Sequence, residues 1–253
     1  MIKTHAGVFE GIGAFSLAAQ RCGIKTEWTC EINHWRKKIL RKQFPDVKQH
    51  NDIRKLSYPP PVDVLTGGFP CQDISVAGNF TGIIGEQSRL WYEYIRVIHE
   101  VGPRYVIIEN SVQLKSKGLE FILYDLAKAG YDAQWQVLSA EQFGYPHKRE
   151  RLFIVAYAAE IGRGQKRPVQ IFQKITDVLE RPYRQIVLPM QIKRIKWDSD
   201  SSDVRMCHGL SARMDRTRIS AIGDAIIPDI AEYILKCIIK FDSQLTPLTY
   251  LPA

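Results

Sequence analysis

Between residues 3 and 157 the hydrophobic pattern switches repeatedly between the two-residue period of a strand and the 3.6-residue period of a helix. Residues 4–9 read as a strand, 13–22 as a helix, 25–30 as a strand and 34–43 as a helix. Further on, 62–65 and 105–108 read as short buried strands, 90–101 and 118–129 as helices, and 133–138 and 152–156 as strands again. Chains that alternate this way connect their strands by right-handed crossovers. The strands then lie mainly parallel, with helices on both faces. The expected fold class is therefore α/β. A length of 253 residues leaves room for one substantial core and a smaller second module.

From residue 158 to about 213 the alternation gives way to Gly, Pro, Gln and basic residues, with short apolar runs such as Ile186-Val187-Leu188. Here 11 Lys and Arg stand against 6 Asp and Glu, leaving +5 of the chain's formal +8. A separate basic module and a solvated insertion both fit this composition. Helical spacing returns at 228–241, with Ile230, Ile234, Leu235 and Ile238 on one face, and this tail is expected to pack back onto the first domain. The expected division is 1–157, 158–213 and 214–253.

Composition narrows the function classes. With 45% apolar and 25% charged residues the chain reads as a soluble globular protein, and no apolar run approaches the ~20 residues of a membrane span. The first residues lack a secretory signal pattern, so a cytoplasmic protein without membrane attachment is expected. Cys22, Cys30, Cys71, Cys207 and Cys237 are scattered and never spaced C-x-x-C, which suggests neither a disulfide framework nor a metal cluster. The basic balance favours an anionic partner, nucleic acid first among them.

Five short segments, and the single acid Glu31, carry candidate chemistry. Phe9-Glu10-Gly11-Ile12-Gly13-Ala14-Phe15 lies between the first strand and the first helix, where glycines let backbone approach a ligand at a helix amino terminus. About 20 residues on, Glu31 ends the second strand, where an acid can accept from ribose hydroxyls. No third glycine follows in the usual place, which counts against a nicotinamide enzyme. Asp52-Ile53 offers a carboxylate and an apolar wall to an adenine ring, and equally offers a helix cap. The strand ending at Thr66 runs into Gly67-Gly68-Phe69-Pro70-Cys71-Gln72, which presents one thiol at a sheet edge as a candidate nucleophile. The strand at 105–108 delivers Glu109-Asn110 to the same edge, where burial would raise a carboxyl's pKa and suit it to general-acid work. In His147-Lys148-Arg149-Glu150-Arg151, alternation puts the two arginines on one side of a strand's start, able to hold a carboxylate, a phosphate or a base carbonyl.

In this order the segments resemble the DNA (cytosine-5)-methyltransferase family. Gly68-Phe69-Pro70-Cys71-Gln72 is similar to its nucleophile motif almost letter for letter, and Phe9–Phe15 to its cofactor loop. Glu109-Asn110 resembles the family's Glu-Asn-Val motif, His147 to Arg151 its Gln-x-Arg-x-Arg motif, and Gly223-Asp224-Ala225-Ile226 its closing Gly-Asn-Ala-Val motif. The likeness covers about residues 3–157 and 209–240. It departs at Gly7, where an acid is usual, at Ser111 and His147, and at Asp224, which puts a carboxylate in place of an amide.

The resemblance implies a Rossmann-like fold that binds S-adenosyl-L-methionine, with 158–213 as a small target recognition domain for double-stranded DNA. It implies Cys71, Glu109, Arg149 and Arg151 as catalytic residues. Phe9, Gly11, Gly13, Glu31, Ile32, Asp52, Ile53, Pro70, Leu90, Asp224 and Ala225 become the cofactor contacts. Gln72, Ser75 and Arg89, in a glycine-bearing lid over 73–89, and Lys193, Arg194 and Lys196 become DNA contacts. A monomer, and a cognate restriction endonuclease as possible partner, belong to the same expectation. An RNA cytosine methyltransferase on this scaffold, and a catalytically silent DNA-binding homologue, are the alternatives.

Overall fold

The computed structural model describes residues 1–70, 88–162, 170–174, 177–178 and 226–245. Strands β1 (Thr4–Val8), β2 (Lys25–Cys30), β3 (Lys48–His50), β4 (Val64–Gly67), β5 (Tyr105–Asn110), β6 (Tyr131–Ser139) and β7 (Glu150–Ala158) form one sheet in the order β3-β2-β1-β4-β5-β7-β6. Between them lie helices α1 (Ala14–Arg21), α2 (His34–Gln43), α3 (Ser88–Val101), α4 (Leu114–Lys117) and α5 (Leu119–Lys128). A short α6 (Ala159–Gly162) follows β7, and α7 (Pro228–Gln244) closes the described chain. No helix among the described residues is long and apolar enough to cross a membrane.

Local chemistry accounts for the ends of these elements. The Asn33 side chain accepts from the backbone N–H groups of Trp35 and Arg36 at 3.0 and 3.1 Å and so starts α2. Pro228 opens α7, where its missing N–H costs nothing. All six residues of β5 are buried, and they divide by parity. Val106 and Ile108 face a cluster holding Trp91, Tyr94 and Ile98 of α3 and Ile122 and Leu126 of α5. Tyr105 and Ile107 face the opposite cluster, with Phe15 and Ala18 of α1 and Ile230, Ile234, Leu235 and Ile238 of α7. This is the three-layer α/β/α arrangement, and the tail packs back as its spacing predicts.

The sheet is mainly parallel, but β7 runs antiparallel to both β5 and β6. The alternation of periods carries no sign of that reversal. The short β3 is also new, so Asp52-Ile53 follows the third strand rather than preceding it. Arg89 belongs to α3, not to the proposed lid, and β7 runs on to Ala158, one residue past the expected domain boundary.

Candidate active site

The chain moves from β1 outward through β2 to β3, then returns to the other side of β1 to build β4 and β5. That reversal is a topological switch point, and the carboxyl ends of the strands beside it form a crevice. A cavity of about 390 Å³ opens there. Phe9 follows β1, Glu31 and Ile32 follow β2, Asn51 to Arg54 follow β3, and Gly68 and Pro70 follow β4. All line it, with Cys30, Arg36, Arg89 and Leu90. Its volume falls in the range of small-molecule and cofactor sites. Seven of the expected cofactor residues are thus brought together: Phe9, Glu31, Ile32, Asp52, Ile53, Pro70 and Leu90. Arg89, expected at DNA, stands among them.

Glu31 holds the loop above this cavity. One oxygen accepts from Gly11 N at 2.8 Å and the other from Asn33 N at 2.7 Å. Phe9 has a left-handed backbone, φ 52°, and its ring packs edge-on against Tyr94 with centroids 5.9 Å apart. Gly11 and Gly13 do not line the cavity. Gly11 supplies the N–H that Glu31 binds, and Gly13, φ 94°, caps α1 where a Cβ would lie 2.6 Å from the Phe44 ring. Asp52 caps a short 3-10 turn, accepting from Arg54 N at 3.0 Å, and also lines the cavity. The Arg54 guanidinium binds the same carboxylate and holds its pKa below the ordinary value.

The second half of the site lies one strand over. Parallel pairing sets Gly67 beside Ile108, so Gly68, the first residue past β4, comes beside Glu109, which is still in β5. The Glu109 carboxyl rests against the bare face of Gly68, where a Cβ would come within 2.6 Å of Oε2. Arg151 Nε donates to Glu109 Oε1 at 3.0 Å. This contact depends on the reversal of β7, which brings a strand's start to the edge where β5 ends. Arg149 precedes β7, and its carbonyl accepts from Ala140 N at 2.9 Å. Cys71, Gln72, Ser75, Lys193, Arg194, Lys196, Asp224 and Ala225 lie outside the described residues.

Asn110, adjacent to Glu109, was not among the expected site residues. Its Nδ2 donates to the Phe69 carbonyl at 3.0 Å, and its Oδ1 accepts from Ser111 N at 2.8 Å. It therefore pins the Phe69-Pro70 corner that leads directly to Cys71. Asn110→Ala should cost about 1–3 kcal/mol, because a buried carbonyl loses its donor. Thermal unfolding checks the stability loss.

Sheet order, crevice and loop anatomy define a doubly wound, Rossmann-like α/β domain. The model of the C-5 cytosine-specific DNA methylase family matches residues 4–205, and the chain belongs to that family. Type II methyltransferase M.NgoFVII of Neisseria gonorrhoeae is 29% identical over 184 residues, which is 70% of this chain and 49% of that protein. M.DsaV of Dactylococcopsis salina is 30% identical over 184 residues, 69% of this chain and 52% of its own. M.HhaI of Haemophilus parahaemolyticus is 28% identical over 160 residues, 61% and 49% respectively. The chain spans about half the length of these curated relatives. Among solved structures, the S. pombe Dnmt2 methyltransferase superposes with TM-score 0.53 at 20% identity, over 71% of this chain and 61% of that one. A Spodoptera frugiperda DNMT2 mutant gives 0.54 at 17%, over 71% and 60%. These two likenesses speak for the fold.

Proposed function

We propose that this protein transfers a methyl group from S-adenosyl-L-methionine to carbon 5 of a cytosine flipped out of duplex DNA, through a covalent bond between Cys71 and carbon 6. The observation that carries the reading is the double role of Gly68. One side of it lines the cofactor-sized cavity, and its bare α-carbon admits the carboxyl of Glu109. A methyl donor in that cavity and a base held by Glu109 and Arg151 would be neighbours, separated by the strand end that leads to Cys71.

The residues around the cavity fit an adenosyl group. Ile32 and Ile53 offer apolar walls to a flat ring, and Glu31 keeps lone pairs for ribose hydroxyls beyond its two backbone bonds. When bound, S-adenosyl-L-methionine supplies an electrophilic methyl on sulfur and departs as S-adenosyl-L-homocysteine. Carbon 5 of cytosine is too weak a nucleophile to take that methyl unaided. The Cys71 thiolate adds to carbon 6 and pushes electrons into the ring. Glu109 donates a proton toward N3 to neutralise the charge that develops there, and Arg151 both orients Glu109 and faces the O2 carbonyl. Once carbon 5 carries the methyl, its proton passes to water, the electrons of that C–H bond expel the Cys71 thiolate from carbon 6, and N3 returns its proton to Glu109, which restores aromaticity. Flipping the base costs a few kcal/mol. Residues 158–213, with Lys193, Arg194 and Lys196, serve as the target recognition module.

The deciding measurement is transfer of radiolabelled methyl from S-adenosyl-L-methionine, with duplex DNA and transfer RNA offered separately, followed by bisulfite sequencing of the DNA. Label at cytosines in a recurrent duplex sequence is expected. Label confined to RNA, or absent from both, overturns the proposal.

A further inference from the structure

The loop between β1 and α1 carries an acid that the chemistry above leaves unused. Glu10 is 5% exposed. Its Oε1 accepts from the backbone N–H of Ser16 at 2.9 Å and from the Ser16 hydroxyl at 2.7 Å, which ties it to the first turn of α1. Its Oε2 is buried with no hydrogen-bond partner among the described residues. The carboxyl lies over Gly7, where a Cβ would overlap Oε2 and sit 2.7 Å from Cδ. Gly7 is in mid-sheet, paired with Thr29 on one side and Thr66 on the other, and is not among the positive-φ glycines. Its backbone would accept any residue, so the bare α-carbon serves only to admit Glu10.

We infer that Gly7 and Glu10 form an exchangeable pair, in which a carboxyl delivered from the loop replaces a side chain at position 7 and holds the cofactor loop at its working height. Glu10 is on this account a positioning residue. It touches no cavity wall itself but stands between Phe9, which lines the cavity, and Gly11, which Glu31 binds. Its backbone is held as well, N–H to the Cys30 carbonyl at 3.3 Å and carbonyl to Gly13 N at 3.1 Å. Without the carboxyl, the Ser16 N–H loses its acceptor, the space over Gly7 empties, and the Phe9–Gly13 turn loses its inner support. The functional half of the inference rests on the cofactor reading above. The pairing itself does not.

Burial pushes the Glu10 carboxyl up to about 7, against the pull of its bonds to Ser16, and the charge of Glu31 adds to the rise. Tyr94, behind the loop on α3, also faces it. A carboxyl raised in the folded state adds stability that is complete below its ordinary value near 4.5 and gone once the pH passes about 7. Glutamine keeps the neutral shape and removes the titration.

The test is a double-mutant cycle on Gly7→Asp and Glu10→Ala, read by thermal unfolding and by S-adenosyl-L-homocysteine binding. Glu10→Ala should lower the melting temperature and weaken that binding about tenfold, near the upper worth of one neutral hydrogen bond. Gly7→Asp alone crowds two carboxyls into one buried space and should cost about 10 °C or fail to fold. The double variant should fold and regain most of both losses, because the aspartate then stands where the Glu10 carboxyl was. Losses that simply add, or a double variant no better than Gly7→Asp, overturn the inference. Glu10→Gln gives an independent reading. Its stability relative to wild type should increase from pH 4.5 to 7 and then level off, and a flat difference counts against the inference. If the wild-type protein binds no S-adenosyl-L-homocysteine, the cofactor reading fails while the unfolding cycle still decides the pair.

Discussion

Cys71→Ala is expected to abolish methyl transfer, a loss of roughly 10⁴-fold or more, while binding of S-adenosyl-L-homocysteine stays within about threefold of wild type. The asymmetry follows from where the thiol acts. Carbon 5 becomes reactive only after a nucleophile has added to carbon 6, and no oxygen or nitrogen side chain proposed for this site can replace a thiolate in that addition. The cavity at the switch point is built from residues after β1, β2, β3 and β4, and alanine at 71 leaves all of them in place. The covalent step has its own readout. Duplex DNA containing 5-fluorocytosine should trap the wild-type protein as an adduct that survives denaturing electrophoresis, since fluorine at carbon 5 cannot leave as a proton does. The alanine variant should form none. Normal turnover in that variant would remove Cys71 from the mechanism.

The parts of this site that were legible in the sequence are those whose signal is local. Alternation of periods predicts β2 and α2 to the residue, because six and ten consecutive positions each carry the pattern. Glycine turns and strand-end acids mark Phe9, Glu31 and Glu109 for the same reason. Pairing between distant strands leaves no such trace. A strand start in a parallel sheet lies on the edge opposite the strand ends, so Arg151 at the start of its strand would lie far from Glu109. Only the antiparallel turn of β7 joins them, and that turn depends on the short connection through Ala140–Phe143 rather than on periodicity. Asn110 is visible in its motif, but its role is not, because its partner, the Phe69 carbonyl, is 41 residues away. Gly7 appears in the sequence as the lack of an acid. In the fold it is the space that the Glu10 side chain fills, and the signal was an acid inside an otherwise apolar glycine turn.

Glu109→Gln should lower the rate of transfer by about 10²- to 10⁴-fold and change DNA affinity by only a few-fold. The glutamine amide preserves the shape against Gly68 and can still meet Arg151, but it has no acid proton to give N3. Two influences meet at this carboxyl. Burial favours the neutral acid, and the Arg151 guanidinium at 3.0 Å favours the carboxylate. Under the proposed function an entering cytosine would shift that balance, its O2 competing for the guanidinium and its N3 offering the carboxyl a hydrogen-bonding partner. Arg151→Lys separates the two tasks of the arginine, because an ammonium keeps the charge while losing the planar fork that can serve carboxylate and carbonyl together. It should therefore weaken transfer less than Glu109→Gln does, and it should move the pH dependence of the rate, which Glu109→Gln should flatten. Equal losses of DNA binding and transfer in Glu109→Gln would instead make Glu109 a structural acid, whose work is to hold the start of β7 against the end of β5.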